Sequence, residues 1–182
     1  AYYLLKEVPP GTDPLSPENK LIFALGPLTG APIAGASRNA VGAKSPLTGL
    51  FGEADVGGWW NAELKRAGYD AIIVEGKAGK PVYLWIQDGE VEIRDATHLW
   101  GKTTKESQIM IRKELGDDRI RTAQIGLAGE NKVHYACIIN DLKHAAGRTG
   151  MGAVMGSKNL KAVACRGHHL PPMADRKAVD EV

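Results

Sequence analysis

Hydrophobic positions recur along this chain with two periods. Residues 81–95 alternate: Val82, Leu84 and Ile86 fall on one face, Val91 and Ile93 follow across Asp88-Gly89, and the pattern predicts a β-hairpin. Tyr83 and Trp85 make its other face aromatic, so both faces of the hairpin are expected to be covered. Further strands are predicted at residues 20–25, closed by Gly26-Pro27, and at 70–75 (DAIIVE), 121–125, 133–139 and 160–165. Helical spacing appears twice. Trp60, Leu64 and Ala67 form a stripe that ends at Gly68, and Ser107, Ile111 and Leu115 follow a capping box at Thr103–Glu106 and stop at Gly116. Residues 1–6 are apolar enough to end a strand or helix, and five residues, Pro9, Pro10, Gly11, Pro14 and Pro17, predict a surface crossing after it. Asp141 is placed to cap a single helical turn over 142–146, ended by Gly147. Strands outnumber helices and do not alternate regularly with them, which argues an α+β fold with mainly antiparallel sheets.

Composition narrows the class. The chain has 182 residues, of which 43% are hydrophobic, enough for one domain with a core. A net charge of +2 gives no global pull toward nucleic acid or a membrane surface, so any basic function is local. No stretch approaches the ~20 apolar residues of a membrane span. Cys137 and Cys165, in the contexts YACII and AVACR, read as two buried thiols rather than a disulfide framework or cluster site, which fits a reducing cytoplasm. His168-His169 reads as solvated tail.

Candidate chemistry gathers at residues 140–161, NDLKHAAGRTGMGAVMGSKNLK. Four glycines, Gly147, Gly150, Gly152 and Gly156, stand among Arg148, Lys158 and Lys161 and flank the apolar Ala153–Met155. Two readings stay open: a phosphate cradle at a helix N-terminus, or a glycine-capped helix packed tightly on a sheet. The spacing matches neither a Walker A loop nor a strand-borne G-x-G-x-x-G. Gly57-Gly58 before the first helix and the glycine turn at 126–131 are further places where backbone can approach a ligand. Residues 29–49 are rich in Gly, Ala, Ser and Pro, so they either wrap the surface or leave room for a ligand; Arg38 is their single arginine. No nucleophile–base pairing and no HExxH spacing is present, and no residue is assigned a catalytic role. Redox chemistry here would belong to a bound cofactor.

The stretch GRTGMGAVMGSKNLKA resembles the pterin-binding loop of the tungsten-containing aldehyde:ferredoxin oxidoreductase family. DPLSPENKLIFALGPLTG, AKSPLTG, ELKRAGYDAIIVEGKAGKPVYL and IGLAGENKV agree as well, in the family's order. The resemblance implies two sheets related by a pseudo-twofold axis, with a concave face that seats the cofactor. It places that N-terminal domain at residues 1–166, its start truncated, and a linker to C-terminal domains at 167–182. The implied cofactors are a tungsten (or molybdenum) bis-pyranopterin, a magnesium ion shared by the pterin phosphates, and a [4Fe-4S] cluster whose ligands lie outside this chain. The implied reaction oxidises an aldehyde to a carboxylate and passes electrons through the cluster to ferredoxin. Carried over by position, Arg38 lies between pterin and cluster, and Gly57, Gly147 and Arg148 contact pterin. Asp55 and Ala145 offer main-chain carbonyls to the magnesium. Asp55 stands where the family pattern has Asn, and His144 where it has Arg. The implied partners are the protein's own C-terminal domains, ferredoxin and an aldehyde, with a homo-oligomer compatible and neither nucleic acid nor membrane expected. Relatives with the same seat act on other carbonyls or on aromatic thioesters. Alternatives outside the family are a non-catalytic phosphate- or anion-binding module, or a scaffold whose glycines only permit close packing.

Overall fold

A computed structural model describes residues 1–181. In chain order its elements are α1 (Tyr2–Glu7), β1 (Leu21–Leu25), β2 (Asn39–Lys44), β3 (Phe51–Val56), α2 (Trp60–Arg66), β4 (Ala71–Val74), β5 (Val82–Gln87), β6 (Glu90–Asp95), a 3-10 turn (Thr97–Leu99), α3 (Thr104–Leu115), β7 (Arg121–Gln124), α4 (Leu127–Glu130), β8 (Ile138–Asn140), β9 (His144–Ala146), α5 (Met151–Ser157), β10 (Leu160–Arg166) and α6 (Arg176–Asp180). The strands form two sheets, ordered β3-β2-β1-β4 and β6-β5-β10-β7-β8-β9. All pairings are antiparallel except that of β10 with β5, so the fold is α+β, as the strand pattern predicts.

The main core lies between the sheets. Leu21 and Phe23 of β1, Val41 of β2 and Val163 of β10 meet Trp60 and Leu64 of α2 and Met151, Val154 and Met155 of α5. Trp60 fixes this junction: its indole lies 5.5 Å from the Phe23 ring, and its Nε1 donates to the carbonyl of Val163 at 2.9 Å. A smaller core covers the outer face of the second sheet, where Tyr83, Trp85, Ala162 and Ala164 pack under Ile111 of α3. Both faces of β5 are thus covered, as its two-sided pattern requires. The hairpin turns at Asp88 (φ 46°) and Gly89 (φ 96°), two left-handed residues that match the twist of the strands they join. The capping box of α3 forms with Thr103 and Glu106, and Gly116 (φ 74°) ends the helix.

Several local expectations give way to tertiary demands. Residues 29–49 do not only wrap the surface: they contain β2, and β3 follows where no strand was predicted. Of the strand expected at 133–139 only the end survives in β8, because the amides of Val133 and Ala136 close turns onto Ala128 and Val133. The turn expected at 142–146 is strand β9, joined to β8 through Asp141 (φ 51°) and Leu142 (φ 63°). Asp141 caps a different helix, accepting from the amides of Trp59 (2.6 Å) and Trp60 (3.0 Å) at the start of α2. The glycine turn at 126–131 is the one-turn helix α4, with Gly129 buried. Gly167 packs on the end of α2, and His168 is held by Asp88 at 2.7 Å, so the tail begins anchored rather than free. The last residue of the expected linker, 182, lies outside the described residues. Among the described residues no helix is long and apolar enough to cross a membrane.

Both cysteines are free, but they differ: Cys165 is fully buried and Cys137 only half-buried, against the expectation of two buried thiols. Burial, with Glu63 nearby, pushes the Cys165 thiol well above its ordinary range. A maleimide reagent at neutral pH should therefore label one cysteine, Cys137, in the native protein and both after denaturation; peptide mapping of native label on Cys165 would contradict this packing.

Candidate functional site

The glycine-rich segment at 140–161 resolves into two parts with different roles. All seven residues of α5 are buried. A Cβ on Gly156 would run into the carbonyl of Gly129, one on Gly152 into that of Cys137, and one on Gly150 (φ 75°) into that of His134. These glycines let α5 meet α4 and the preceding loop backbone to backbone. The lysines are consumed as well. Lys158 donates to the carbonyls of Pro17, Asn19 and Gly76, and Lys161 pairs with Glu130 and the carbonyl of Lys102. The packed-helix reading therefore holds for residues 150–161, and no basic cradle forms there. What the segment offers to solvent is residues 142–145, 147 and 148.

Those exposed residues run along an edge. β3 and β9 each end their sheet, and the two edges lie together. Period-2 geometry turns Phe51, Glu53 and Asp55 of β3 outward and Gly52, Ala54 and Val56 inward. His144 and Ala145 of the neighbouring β9 are both exposed, on a strand at the sheet's edge. Gly52 sets how closely the edges approach: a Cβ there would sit 2.8 Å from the Thr149 Cβ and 2.9 Å from that of Ser45. Ser45 Oγ locks the contact by donating to the carbonyl of Thr149 at 2.8 Å. Edge strands also present main-chain N–H and C=O groups that no neighbouring strand pairs.

The result is a concavity of about 580 Å³ lined by Glu53, Ala54, Asp55, Ala145, Gly147 and Arg148. Four sequence candidates, Asp55, Ala145, Gly147 and Arg148, thus share one surface. Gly57 and His144 adjoin each other beside it, a Cβ on Gly57 falling 3.7 Å from His144 Nδ1. Gly58 (φ 105°) lets the chain pass under the imidazole, where a Cβ would sit 3.1 Å from Cδ2. His144 also lines a neighbouring cavity of about 440 Å³, walled by the 30–37 loop and Trp59. Arg38 stands apart from Asp55. Its side chain borders a third depression of about 400 Å³, which shares Ile33, Gly35 and Ala36 with the second. Trp60 is core, whereas Trp59 is 60% exposed beneath the Arg121 guanidinium, 5.8 Å from its ring centre. Among the described residues, none of the side chains of Arg38, Glu53, Asp55, His144 and Arg148 has a salt-bridge partner within the chain.

Sequence reasoning missed Glu53 and the whole of β3. The alternation at 51–56 was the available signal, but its inward residues are small and look like loop. It also missed Asn61 and Asn140, whose buried carboxamides bond to each other and to the carbonyls of Ser37, Val56 and Gly57 beside the site.

Residues 1–167 match the family described as aldehyde ferredoxin oxidoreductase, N-terminal domain. The chain belongs to this family. A tungsten-containing aldehyde ferredoxin oxidoreductase of Pyrococcus furiosus is 58% identical over 97% of the chain, and one of Pyrococcus horikoshii is 56% identical over all of it. The chain spans about three-tenths of the length of these curated relatives (29% and 30%). Among solved structures, a chain of the active-site complex BamBC of benzoyl coenzyme A reductase, in complex with 1,5-dienoyl-CoA, superimposes with a TM-score of 0.89. It is 50% identical, and the match covers 92% of this chain and 26% of that one. The aldehyde ferredoxin oxidoreductase N-terminal fold therefore extends over nearly the whole chain.

Proposed function

We propose that this domain is one face of a cofactor seat in a larger oxidoreductase, holding a tungsten (or molybdenum) bis-pyranopterin. The observation that carries the reading is the junction of the β3 and β9 edges, which puts Asp55, Ala145, Gly147 and Arg148 around one concavity. The donor set fits such a group. Arg148 and His144 suit phosphate and pterin oxygens, and Gly147 leaves open space, since a Cβ there would meet nothing nearer than 3.8 Å. Glu53 and Asp55 would repel phosphate unless a cation intervened, and main-chain carbonyls at Asp55 and Ala145 are hard oxygen donors suited to magnesium. No three His, Cys, Asp or Glu side chains gather as a metal site among the described residues, so the tungsten would be held by the pterin rather than by this domain.

When bound, the tungsten centre supplies two-electron oxidation of an aldehyde with water to a carboxylate. The domain's own work is to bind, orient and screen that group. Arg38, beside the shared loop wall, would bridge the pterin to a [4Fe-4S] cluster with its fixed fork of donors. Two cysteines in the chain cannot supply four cluster ligands, so the cluster would be held by C-terminal domains reached through residues 167–182. Ferredoxin would take the electrons, in the cytoplasm, and a homo-oligomer is compatible with this. The names of the Pyrococcus relatives support the tungsten and aldehyde parts of the reading. The likeness to benzoyl coenzyme A reductase favours a second substrate class, aromatic thioesters, on the same seat. The departures at Asp55 and His144 bear on that choice.

The test is the metal and pterin content of the full-length protein purified without oxygen. Tungsten or molybdenum, iron and a releasable pterin are expected; a phosphate-binding module or scaffold would contain none. Arg38→Lys keeps the charge but loses the planar fork, and should weaken cofactor retention or cluster reduction by about 1.5–3 kcal/mol. Normal pterin content with normal cluster reduction would make Arg38 a plain loop arginine.

A further inference from the structure

Three segments bring candidate residues to the seat: the loop ending at Arg38, the end of β3 with Asp55 and Gly57, and the β8–β9 hairpin with His144 and Ala145. The β2–β3 ladder registers the first two, Asn39 standing opposite Val56, but no strand pairing holds the hairpin against them. β2 pairs with β3, and β8 pairs with β9, but the two edges belong to different sheets.

We propose that Asn61 and Asn140 are positioning residues of the seat, two buried carboxamides whose hydrogen bonds set the three segments relative to one another. The inference rests on the cofactor-seat reading. Asn61 is fully buried on α2, and Asn140 is 1% exposed at the end of β8. Asn61 Nδ2 donates to the carbonyls of Ser37 and Val56 (3.1 Å to the latter). Carbonyl oxygens only accept, so this amide has one permitted orientation, with Oδ1 turned away from them. That Oδ1 accepts from Asn140 Nδ2 at 2.9 Å. Asn140 Nδ2 also reaches the carbonyl of Gly57 at 3.1 Å and Asn39 Oδ1 at 3.4 Å, so its orientation is dictated too.

Each end of this chain of bonds lies one step from a candidate residue. Ser37 precedes Arg38, Val56 and Gly57 follow Asp55, and Asn140 stands opposite His144 in the β8–β9 register. The carbonyls that accept are those of the last residue of β3, Val56, and of Ser37 and Gly57 outside the strands, and main-chain carbonyls are costly to bury unpaired. The arrangement gives up something in return: Asn140 Oδ1 is buried without a partner among the described residues. A core built only for stability would place an aliphatic side chain there.

The experiment uses the full-length protein and compares Asn140→Leu with Val163→Ala, a truncation in the same core on β10, which pairs with β5 and β7. Two quantities are read: the thermal midpoint of cofactor-free protein, and the pterin released per mole of cofactor-loaded protein, measured by its fluorescence after oxidation. At matched loss of thermal midpoint, Asn140→Leu is expected to retain about tenfold less pterin than Val163→Ala. Asn61→Leu should behave alike, and the double variant should add little to either single one, because the two amides act as one chain. If Asn140→Leu does not fold, Asn140→Ser, which keeps one donor, is read against the same control. Equal pterin retention at equal thermal loss would overturn the proposal and leave the seat reading intact. Wild-type protein free of pterin would overturn the seat reading, and this inference with it.

Discussion

Gly156→Ala is expected to abolish the soluble fold. The added Cβ would fall on the carbonyl of Gly129, 2.6 Å from its carbon and 3.3 Å from the amide nitrogen of Glu130. None of these is a flexible side-chain end that can swing aside. α4 must move, yet a Cβ on Gly129 would itself lie 3.0 Å from the carbonyl of Gly152, so the two helices are mutually locked. Overpacking that displaces backbone costs more than the usual ~1–3 kcal/mol of a strained core substitution, against a total stability of about 5–15 kcal/mol. Gly116→Ala is the matched comparison. Its φ of 74° is unfavourable to alanine, but no heavy atom lies within 4 Å of the new methyl, so about 1 kcal/mol is expected. Soluble yield and thermal midpoint check both. A Gly156→Ala protein melting within a few degrees of Gly116→Ala would show that α5 is not packed backbone to backbone.

The second large effect is at Glu130. Its carboxylate accepts from Lys161 Nζ and from the amide of Gly101 (2.9 Å), and the side chains of the pair are 4% and 0% exposed. Glu130→Gln keeps an acceptor for Gly101 but leaves the Lys161 ammonium uncompensated in the interior. Breaking a buried pair in this way costs about 3–5 kcal/mol, whereas removing both charges is often near neutral. The double variant Glu130→Gln with Lys161→Met should therefore recover most of the loss. Urea unfolding followed by the emission of the four tryptophans measures both. An unchanged midpoint in Glu130→Gln would mean that Lys161 answers to another anion, and would reopen the cradle reading of the 140–161 segment.

That segment shows where sequence reading reaches its limit. Its composition, glycine with lysine and arginine, is the same for a ligand cradle and for a helix packed backbone to backbone. The difference lies in which atoms occupy the space a Cβ would need. In α5 that space is filled by protein, the carbonyls of Gly129, His134 and Cys137, while at Gly147 it is open. Only the tertiary structure contains that fact.

By itself the sequence determined the features whose causes are local. The β5–β6 hairpin follows from strict alternation of large side chains around Asp88-Gly89, and α3 from a capping box and a closing glycine, because the stabilising partners lie within a few residues. The resemblance of motifs placed Asp55, Ala145, Gly147 and Arg148 on one list. Tertiary structure decided what depends on distant partners. β2 and β3 were illegible because their inward residues, Ala43, Gly52 and Ala54, are small; they are small because α5 and Thr149 press against them. Locally Asp141 has the place of a cap for its own next turn, but the amides it satisfies belong to Trp59 and Trp60, more than 80 residues earlier. The joining of two sheet edges into one surface, and the Asn61–Asn140 chain beneath it, have the same origin. Hydrogen bonds between residues 79 positions apart leave no periodicity in a sequence, because each partner looks locally like an ordinary polar residue.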